Sequence, residues 1–346
     1  MKKILLLITI ASLSFSDGKI SGVTYFGYDD NFTLSRVYFT YKKSISDDLS
    51  FKFQMDVGKI DDASSAGEND DVDNDNRWMA FLKKAHIDWK VADKTKISMG
   101  MIGMNMLNVQ EKTWGYRFLR KSALDLYKFS ATADLGMSIS KDFGFLYTNL
   151  TMSNGEGYKE SVVDNNKKIS LQLVSGERRL DKNDGYNLGL VYSNLKTGGG
   201  EDYCSGGEEE EETDCNNNGG IWVFADPEFD TTVIGLFGGW AGNNLRIGAE
   251  LNTQSVKSNI DAPEEINSQI TSIYLNYNIN DDFSAFIRQD ARDLNIDSDD
   301  DDDSAMMLGV IWRPTKGLSI CPNMTQNTDA SDVSEDSFAI DFQFKF

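Results

Sequence analysis

One histidine and a nearby carboxylate are the first residues in the chain that suggest catalysis. His86 is the only histidine, and Asp88 follows two residues later. In an extended strand these two residues point to the same face, so Asp88 can orient His86 as a general base. No serine stands out by local motif as a nucleophile, and no Gly-rich phosphate motif or paired-cysteine metal motif is present. We therefore interpret His86 as a polar, water-facing side chain and predict that the protein is not an enzyme.

The cysteines suggest either a disulfide or a zinc site. Cys204 and Cys215 lie in one polar stretch rich in Gly and Glu, close enough in sequence to close a local loop. Zinc would need further ligands, and His86 is far away in sequence. An exported chain favours the disulfide Cys204–Cys215. Cys321 is left over, with no predicted role.

Four acidic runs suggest binding of divalent cations, because carboxylate oxygens suit Ca²⁺ and Mg²⁺. These runs are Asp61–Asp75, Glu208–Glu212, Asp299–Asp303 and Asp329–Asp336. Asp71, Asp73 and Asp75 imitate the start of a calcium loop, but its sixth position is Asn76 and its twelfth is Leu82. Because like charges repel and extend a chain, we interpret the runs as solvated surface. Weak, nonspecific Ca²⁺ or Mg²⁺ binding is expected, with no specific metal and no cofactor.

A basic and aromatic stretch, residues 105–129, differs from the acidic runs in sign. Its charged residues are Lys112, Arg117, Arg120, Lys121 and Lys128 against Glu111 and Asp125. It also has apolar surface to bury, at Trp114, Tyr116, Phe118 and Leu119. This composition predicts a loop that folds inward and packs against the rest of the molecule.

The first residues predict export. Lys2 and Lys3 precede an apolar run, and Ser14-Phe15-Ser16 gives the small-x-small pattern of a signal-peptidase site, so residues 1–16 are predicted to be a signal peptide. The predicted domain then covers residues 17–346. It has 32 basic and 55 acidic side chains, a net charge of −23. No stretch is long and apolar enough for a membrane helix.

Alternating apolar and polar residues form the clearest structural pattern. At the C-terminus, apolar residues stand at every second position from Phe338 to Phe346. Side chains on a strand point to opposite faces in turn, so one face of this strand is apolar and the other polar. The alternation recurs near residues 50, 87 and 247. Lipid would satisfy the apolar faces, and a water-filled interior would satisfy the charged ones.

The alternation predicts an all-β fold, a closed transmembrane antiparallel β-barrel of sixteen strands. The strands are expected at 20–28, 33–44, 49–58, 80–91, 96–104, 131–140, 143–153, 168–175, 185–194, 231–241, 244–255, 268–279, 283–292, 305–313, 317–326 and 337–346. Short and long connections alternate, which places the short ones in the periplasm and the long ones outside the cell. Pro322 predicts a bulge or an early end in its strand.

Aromatic residues support this orientation. At the periplasmic ends of strands, an interfacial girdle is expected from Trp89, Trp240, Trp312, Phe51, Phe143 and Phe283. On the inner faces, the wall of the lumen is expected to carry Arg36, Lys84, Arg246, Arg288 and Arg292, with Asp56, Asp88, Glu250 and Asp290 beside them. These residues leave two alternatives open, an anion filter and a balanced, weakly selective lumen.

A family resemblance is consistent with this pattern. Sixteen strands, an aromatic C-terminal residue and an infolded third external loop resemble bacterial general porins. Three stretches are more similar to the phosphate-selective (porin O/P-like) family, namely Arg36–Tyr41, Trp114–Ser122 and Asn154–Gly157. That resemblance implies a pore constriction at Arg117, Arg120 and Lys121, with Lys112 as a further candidate. The external arginine ladder of a dedicated phosphate channel is not evident.

We therefore predict an outer-membrane porin of a Gram-negative bacterium, for passive diffusion of small hydrophilic solutes and ions. An anion (phosphate) bias is the finer hypothesis, and the resemblance to general porins implies a homotrimer. Outer-membrane lipid and lipopolysaccharide are the expected surroundings, and no nucleic-acid partner is expected. The alternative is a cell-surface binding or adhesion barrel with acidic, cation-binding loops and a plugged lumen.

Overall fold

The computed structural model describes residues 18–58, 78–160, 162, 164–199, 203–205, 215, 221–223, 226–258, 265–299 and 301–346. The expected signal peptide, residues 1–16, lies outside the described residues. So do the acidic runs 61–75 and 208–212, together with the calcium-loop-like Asp71–Asp75.

Sixteen antiparallel strands close into one barrel. The first half consists of β1 (Lys19–Asp29), β2 (Asn31–Ser44), β3 (Leu49–Gly58), β4 (Met79–Ala92), β5 (Thr95–Gly103), β6 (Ala133–Asp142), β7 (Tyr147–Ser153), β8 (Lys168–Gly176) and β9 (Gly185–Gly199). A separate hairpin follows, β10 (Tyr203–Ser205) with β11 (Ile221–Val223). The second half consists of β12 (Asp226–Gly242), β13 (Leu245–Ser258), β14 (Glu265–Asn278), β15 (Phe283–Asp293), β16 (Asp302–Thr315), β17 (Leu318–Thr328) and β18 (Ser334–Lys345).

The barrel closes where β1 pairs with β18, with Val23 opposite Lys345 and Phe26 opposite Phe342. The rings of Phe26 and Phe342 stack 4.6 Å apart across this seam. The start of β1 and the end of β18 therefore lie on the same side of the barrel, the side with the short connections. The predicted closed antiparallel barrel of sixteen strands is confirmed.

Most strand ends agree with the sequence pattern within a few residues, and the exceptions have local causes. β7 begins at Tyr147 instead of 143, because the backbone N–H of Phe143 donates to the carbonyl of Leu146 (2.9 Å) and forms a turn. β9 and β12 extend beyond their predicted ends as a polar ladder in which Lys196 pairs with Glu228 (3.1 Å). The three-residue strands β10 and β11 are too short to show an alternating pattern.

The expected bulge or early strand end at Pro322 is wrong. β17 passes through Pro322 in regular register with β18, where Pro322 lies opposite Ile340. The pairing of β17 with β16 skips from Asn323 to Ile320, and its register shifts only farther on, between Trp312 and Thr315 of β16. Because proline has no N–H to donate, β17 loses part of its hydrogen-bond ladder with β16 and keeps its ladder with β18.

The outer surface of the barrel is an apolar belt. Leu135, Met137 and Ile139 of β6 are 44–49% exposed on it. Trp89, Trp240, Trp312, Phe143 and Phe283 are also exposed, at the end with the short connections. An apolar surface this extensive is expected to face lipid. In the described part of the chain, no helix is long and apolar enough to cross a bilayer.

The third loop, residues 104–132, fills part of the interior. It contains two short helices, α1 (Gln110–Trp114) and α2 (Ala123–Leu126). Met106, Leu107, Val109 and Leu124 pack on Val174, Val191, Val233, Phe237 and Ile270 of the barrel. Trp114, Tyr116 and Phe118 pack on Tyr274, Phe286, Met307, Ile311 and Cys321. The predicted inward folding of this loop is therefore seen in the structure.

Candidate functional site: the passage beside the third loop

Polar groups of the barrel wall hold the third loop in place. Arg246 Nη2 and Asn276 Nδ2 both donate to the carbonyl oxygen of Trp114, at 3.0 and 3.2 Å. Arg288 Nη1 donates to the carbonyl oxygen of Lys121 at 2.9 Å, and its guanidinium lies 4.9 Å from the Trp114 ring centroid. Arg246 and Arg288 face the barrel interior, as expected, but the loop covers them. Their cations anchor the loop and do not line the passage.

Asp290 is the acidic counterpart of these anchors. Its carboxylate accepts from Arg120 Nε (2.6 Å), Arg288 Nε (2.9 Å) and Ser272 Oγ (2.6 Å), and the residue is fully buried. The predicted constriction residue Arg120 is therefore turned into the wall. Glu250 is also buried on this side, 3% exposed. The loop thus closes the part of the lumen that these residues line.

A water-accessible cavity remains along the wall from β1 to β8, and we name it the passage. It is a cavity of about 1120 Å³ bounded by the third loop. Its basic lining residues are Lys19, Lys42, Lys43, Lys52, Lys83, Lys84, Lys96, Lys112, Arg117, Arg178 and Arg179. Among the described residues, three acidic ones line it, Asp88, Glu111 and Glu177. A chain with a net charge of −21 therefore surrounds this passage mostly with cations.

Three lysines of β2, β3 and β4 lie close together on the wall of the passage, and we name Lys42, Lys52 and Lys84 the wall lysines. Lys42 and Lys52 are directly opposite each other in the β2–β3 ladder. Lys84 is opposite Gln54, one inward-facing position beyond Lys52. Among the described residues, none of the three has an acidic partner within 4.0 Å. Opposed like charges destabilise a sheet, so the positive wall has a cost that anions in the passage would reduce.

Lys83 reaches the lumen because of a β-bulge. The β3–β4 register shifts between Gln54 and Met55, which leaves Lys83 as the extra residue. Strict alternation would turn Lys83 toward lipid, but the bulge lets Lys83 and Lys84 face inward together. Lys83 is 5% exposed and pairs with the buried Asp56 at 3.2 Å. Its charge is therefore largely compensated.

Arg117 lines the passage, but it too is compensated. Its Nη1 lies 2.6 Å from Glu111 Oε2 and 2.7 Å from Asp125 Oδ2. Burial opposes the charged form, and the carboxylate of Glu111 together with Asp125 nevertheless raises the pKa of Arg117 well above its usual value. Arg117 is thus a permanently charged, rigidly held side chain beside two carboxylates.

Lys112, at the inner tip of the loop, has no acidic partner within 4.0 Å among the described residues. Burial, reinforced by the positive charge of Arg179, lowers the pKa of Lys112 to about 8. Of the four predicted constriction residues, Lys112 and Arg117 line the passage. Arg120 binds Asp290, and Lys121 contributes its carbonyl oxygen to Arg288.

The remaining predicted wall residues are divided between the passage and other sites. Lys84 and Asp88 line the passage. Arg36 pairs with Asp56 at 3.5 Å. Arg292 Nε pairs with Asp303 at 2.9 Å near the long-loop end, with its guanidinium 5.1 Å from the Tyr127 ring centroid.

His86 and Asp88 form a weak pair, and among the described residues no hydroxyl is hydrogen-bonded to His86. His86 Nδ1 lies 3.0 Å from the carbonyl oxygen of Met101, and Nε2 lies 3.9 Å from Asp88 Oδ2. Ser98 Oγ donates to Asp88 Oδ1 at 2.5 Å, so its hydroxyl is bound to the carboxylate. A serine nucleophile needs its base at the hydroxyl, and this arrangement has the carboxylate there instead.

Other predicted sites lie away from the passage. Cys204 and Cys215 are joined by a disulfide with a Cα–Cα distance of 5.6 Å. Cys321 is a buried free thiol in the apolar cluster under Trp114. At the long-loop rim, carboxylate oxygens of Asp293, Asp301 and Asp302 lie within 4.8 Å of one another. Weak binding of Ca²⁺ or Mg²⁺ by the acidic loops stays a prediction.

Comparison with solved structures identifies the fold. No protein-family model matches the chain, and no curated protein matches it in sequence. Among solved structures, it is similar to the trimer form of OmpT, an outer membrane protein of Vibrio cholerae (TM-score 0.61, 11% identity, 95% of this chain and 99% of that chain). It is also similar to an anion-selective porin from Comamonas acidovorans (TM-score 0.61, 9% identity, 95% and 99%). The chain has a porin fold.

The OmpF of Salmonella typhi shares the same fold, with a TM-score of 0.55 and 13% identity over 95% of this chain and 96% of that chain. At these identities the likeness concerns the fold alone. The more specific resemblance to phosphate-selective porins is not supported by these neighbours. The residues that determine selectivity must be inferred from this chain's own passage.

Proposed function

We propose that this protein is a porin of a Gram-negative outer membrane, through which small hydrophilic solutes and ions diffuse passively, with a preference for anions. Phosphate is one anion of this class. The apolar outer belt supports the membrane location, since only lipid would cover it without aggregation. The open cavity beside the third loop supports a channel and disfavours a plugged adhesion barrel.

The observation that carries the anion preference is the lining of the passage, to which the described part of the chain contributes eleven basic and three acidic side chains. Several acidic residues neutralise particular cations, notably Asp56 at Lys83 and Glu111 at Arg117. The wall lysines have no acidic partner within 4.0 Å among the described residues, so no ion pair neutralises them. A narrow aqueous path between low-dielectric walls focuses this field and concentrates anions. The anion selectivity of the Comamonas acidovorans porin agrees with such a role on this fold.

We infer no catalytic role. The pair of His86 and Asp88 lacks a nucleophile, because the nearest hydroxyl in their hydrogen-bond network, Ser98, is bound to Asp88. We propose that the protein forms a homotrimer, because its fold is similar to that of porins, including the trimer form of OmpT.

The test is reconstitution of the mature chain into planar bilayers and liposomes. We expect stable open channels, swelling of liposomes in small sugars, and a reversal potential of the anion-selective sign. The double variant Lys52→Gln/Lys84→Gln should reduce the anion preference by several-fold, because two uncompensated cations leave the wall. A matched control is Lys257→Gln/Lys316→Gln, two exposed lysines outside the passage lining. Absence of channels, or equal effects of both double variants, would contradict the proposal.

A further inference from the structure

One short-end connection, Glu177–Asp184, differs from the others by folding into the barrel, and we name it the inner turn. Leu180 at its centre is 3% exposed. On the wall beneath it, Gly239 has no side chain, and a Cβ there would lie 2.5 Å from Thr113 Cγ2 and 3.1 Å from Leu180 Cδ1. The missing side chain therefore makes room for the third loop and the inner turn at the same place.

The inner turn is bonded to the third loop. Asn187 Nδ2 donates both to Thr113 Oγ1 of the loop and to the carbonyl oxygen of Glu177 of the turn, each at 3.0 Å. Within the turn, the Glu177 carboxylate accepts from the backbone N–H of Arg179 (2.7 Å) and from Asn183 Nδ2 (3.1 Å). These bonds fix the turn in one conformation under the tip of the loop.

Two arginines of the inner turn, Arg178 and Arg179, line the passage. Arg178 lies 3.8 Å over the Tyr147 ring centroid and pairs with Asp142 at 3.2 Å. Arg179 makes two bonds to Asp181, Nε to Oδ1 and Nη2 to Oδ2, each at 2.8 Å. Both arginines line the passage, whereas Asp142 and Asp181 do not. Each carboxylate binds its guanidinium group on the side away from the passage. The remaining N–H donors of the two arginines therefore face water.

Lys112 of the third loop lies across from these arginines in the same cavity. Its lowered pKa has the charge of Arg179 among its causes, which agrees with their closeness. Three cations from two different segments therefore line the same cavity at the short-turn end, together with the carboxylate of Glu177. The wall lysines are on other elements, β2 to β4. The two groups of cations act on a permeating anion in different ways, because the wall lysines have no planar guanidinium groups and the inner turn has two.

We propose that Lys112, Arg178 and Arg179 form a binding step for small divalent oxyanions at the periplasmic end of the passage. This inference rests on the proposed channel function and deepens it. Monovalent anions such as chloride are concentrated mainly by the wall lysines. An anion with several acceptor oxygens, such as sulfate or hydrogen phosphate, is held longer, because it can bind two guanidinium groups and an ammonium at once.

The experiment measures chloride current through oriented channels while sodium sulfate is added to one side at a time. In the wild type, sulfate should reduce the chloride current at lower concentration from the short-turn side than from the long-loop side. Arg178→Gln/Arg179→Gln should weaken this block by about tenfold. Arg178→Lys/Arg179→Lys should keep the chloride selectivity but also weaken the block, because ammonium groups lack the planar pair of donors.

The control is Lys316→Gln, in another short connection and outside the lining. Wild-type channels that are anion-selective, together with a sulfate block unchanged in both arginine variants, would overturn this inference alone. Wild-type channels without anion selectivity would overturn the proposed function as well. Lys112→Gln, outside the inner turn, should weaken the block too, and this checks the site independently of the folding of the turn.

Discussion

Arg120 of the third loop and Asp290 of β15 are joined by an ion pair, with Nε 2.6 Å from Oδ2, although 170 residues separate them in sequence. The same carboxylate binds Arg288, and Arg288 in turn binds the loop backbone at Lys121. Part of the basic charge of the loop thus fixes the position of the loop. We therefore expect the width of the passage to depend on this attachment.

Asp290→Asn tests the attachment. Removing one partner of a buried pair leaves Arg120 and Arg288 without their shared carboxylate, a cost of about 3–5 kcal/mol. We expect a lower thermal unfolding temperature in detergent. Single-channel conductance should become larger and noisier, because the loop moves from its place. Asp297→Asn, at an exposed carboxylate, is the control. Unchanged conductance in Asp290→Asn would mean that the pair does not hold the loop.

Trp114→Ala tests the apolar half of the attachment. Trp114 is fully buried between Tyr116, Tyr274 and Phe286. Truncating a buried tryptophan costs about 3–5 kcal/mol, so the midpoint of thermal unfolding should fall clearly. Trp312→Ala removes an exposed tryptophan of the outer belt and should lower the midpoint much less. Equal losses in the two variants would argue against a packed loop.

The lowered pKa of Lys112 predicts that the anion preference of the channel depends on pH. Its pKa is lowered to about 8, so the ammonium loses its proton as the pH rises through that value. The anion preference of the wild type should exceed that of Lys112→Met at about pH 6, and the two should agree at about pH 10. Reversal potentials of both proteins, measured over this range, give the comparison. A difference that persists at the high pH would show that Lys112 does not act through its charge.

The fold was predictable because a barrel wall has only two environments, lipid and water. That division imposes period two on every strand, and the pattern from Phe338 to Phe346 shows it directly. All sixteen strands were found from this pattern. Short elements with little apolar surface, such as β10 and β11, leave no such trace.

The passage was less predictable, because its lining depends on what covers each inward-facing residue. Arg246 and Arg288 face inward, as their strand positions indicate, but they lie under the loop. Lys83 faces inward only because of a bulge, which alternation alone does not reveal. The unusual length of the connection at 177–184 was visible in the sequence, whereas its inward folding depends on Leu180 and on the space at Gly239.

The most direct test of the account is the reversal potential of the wild-type channel in a planar bilayer, under a roughly tenfold KCl gradient at neutral pH. Excess cationic charge along the passage predicts that chloride carries most of the current, despite the strongly acidic composition of the whole chain. A potential of the opposite sign, with potassium as the main carrier, would contradict the account.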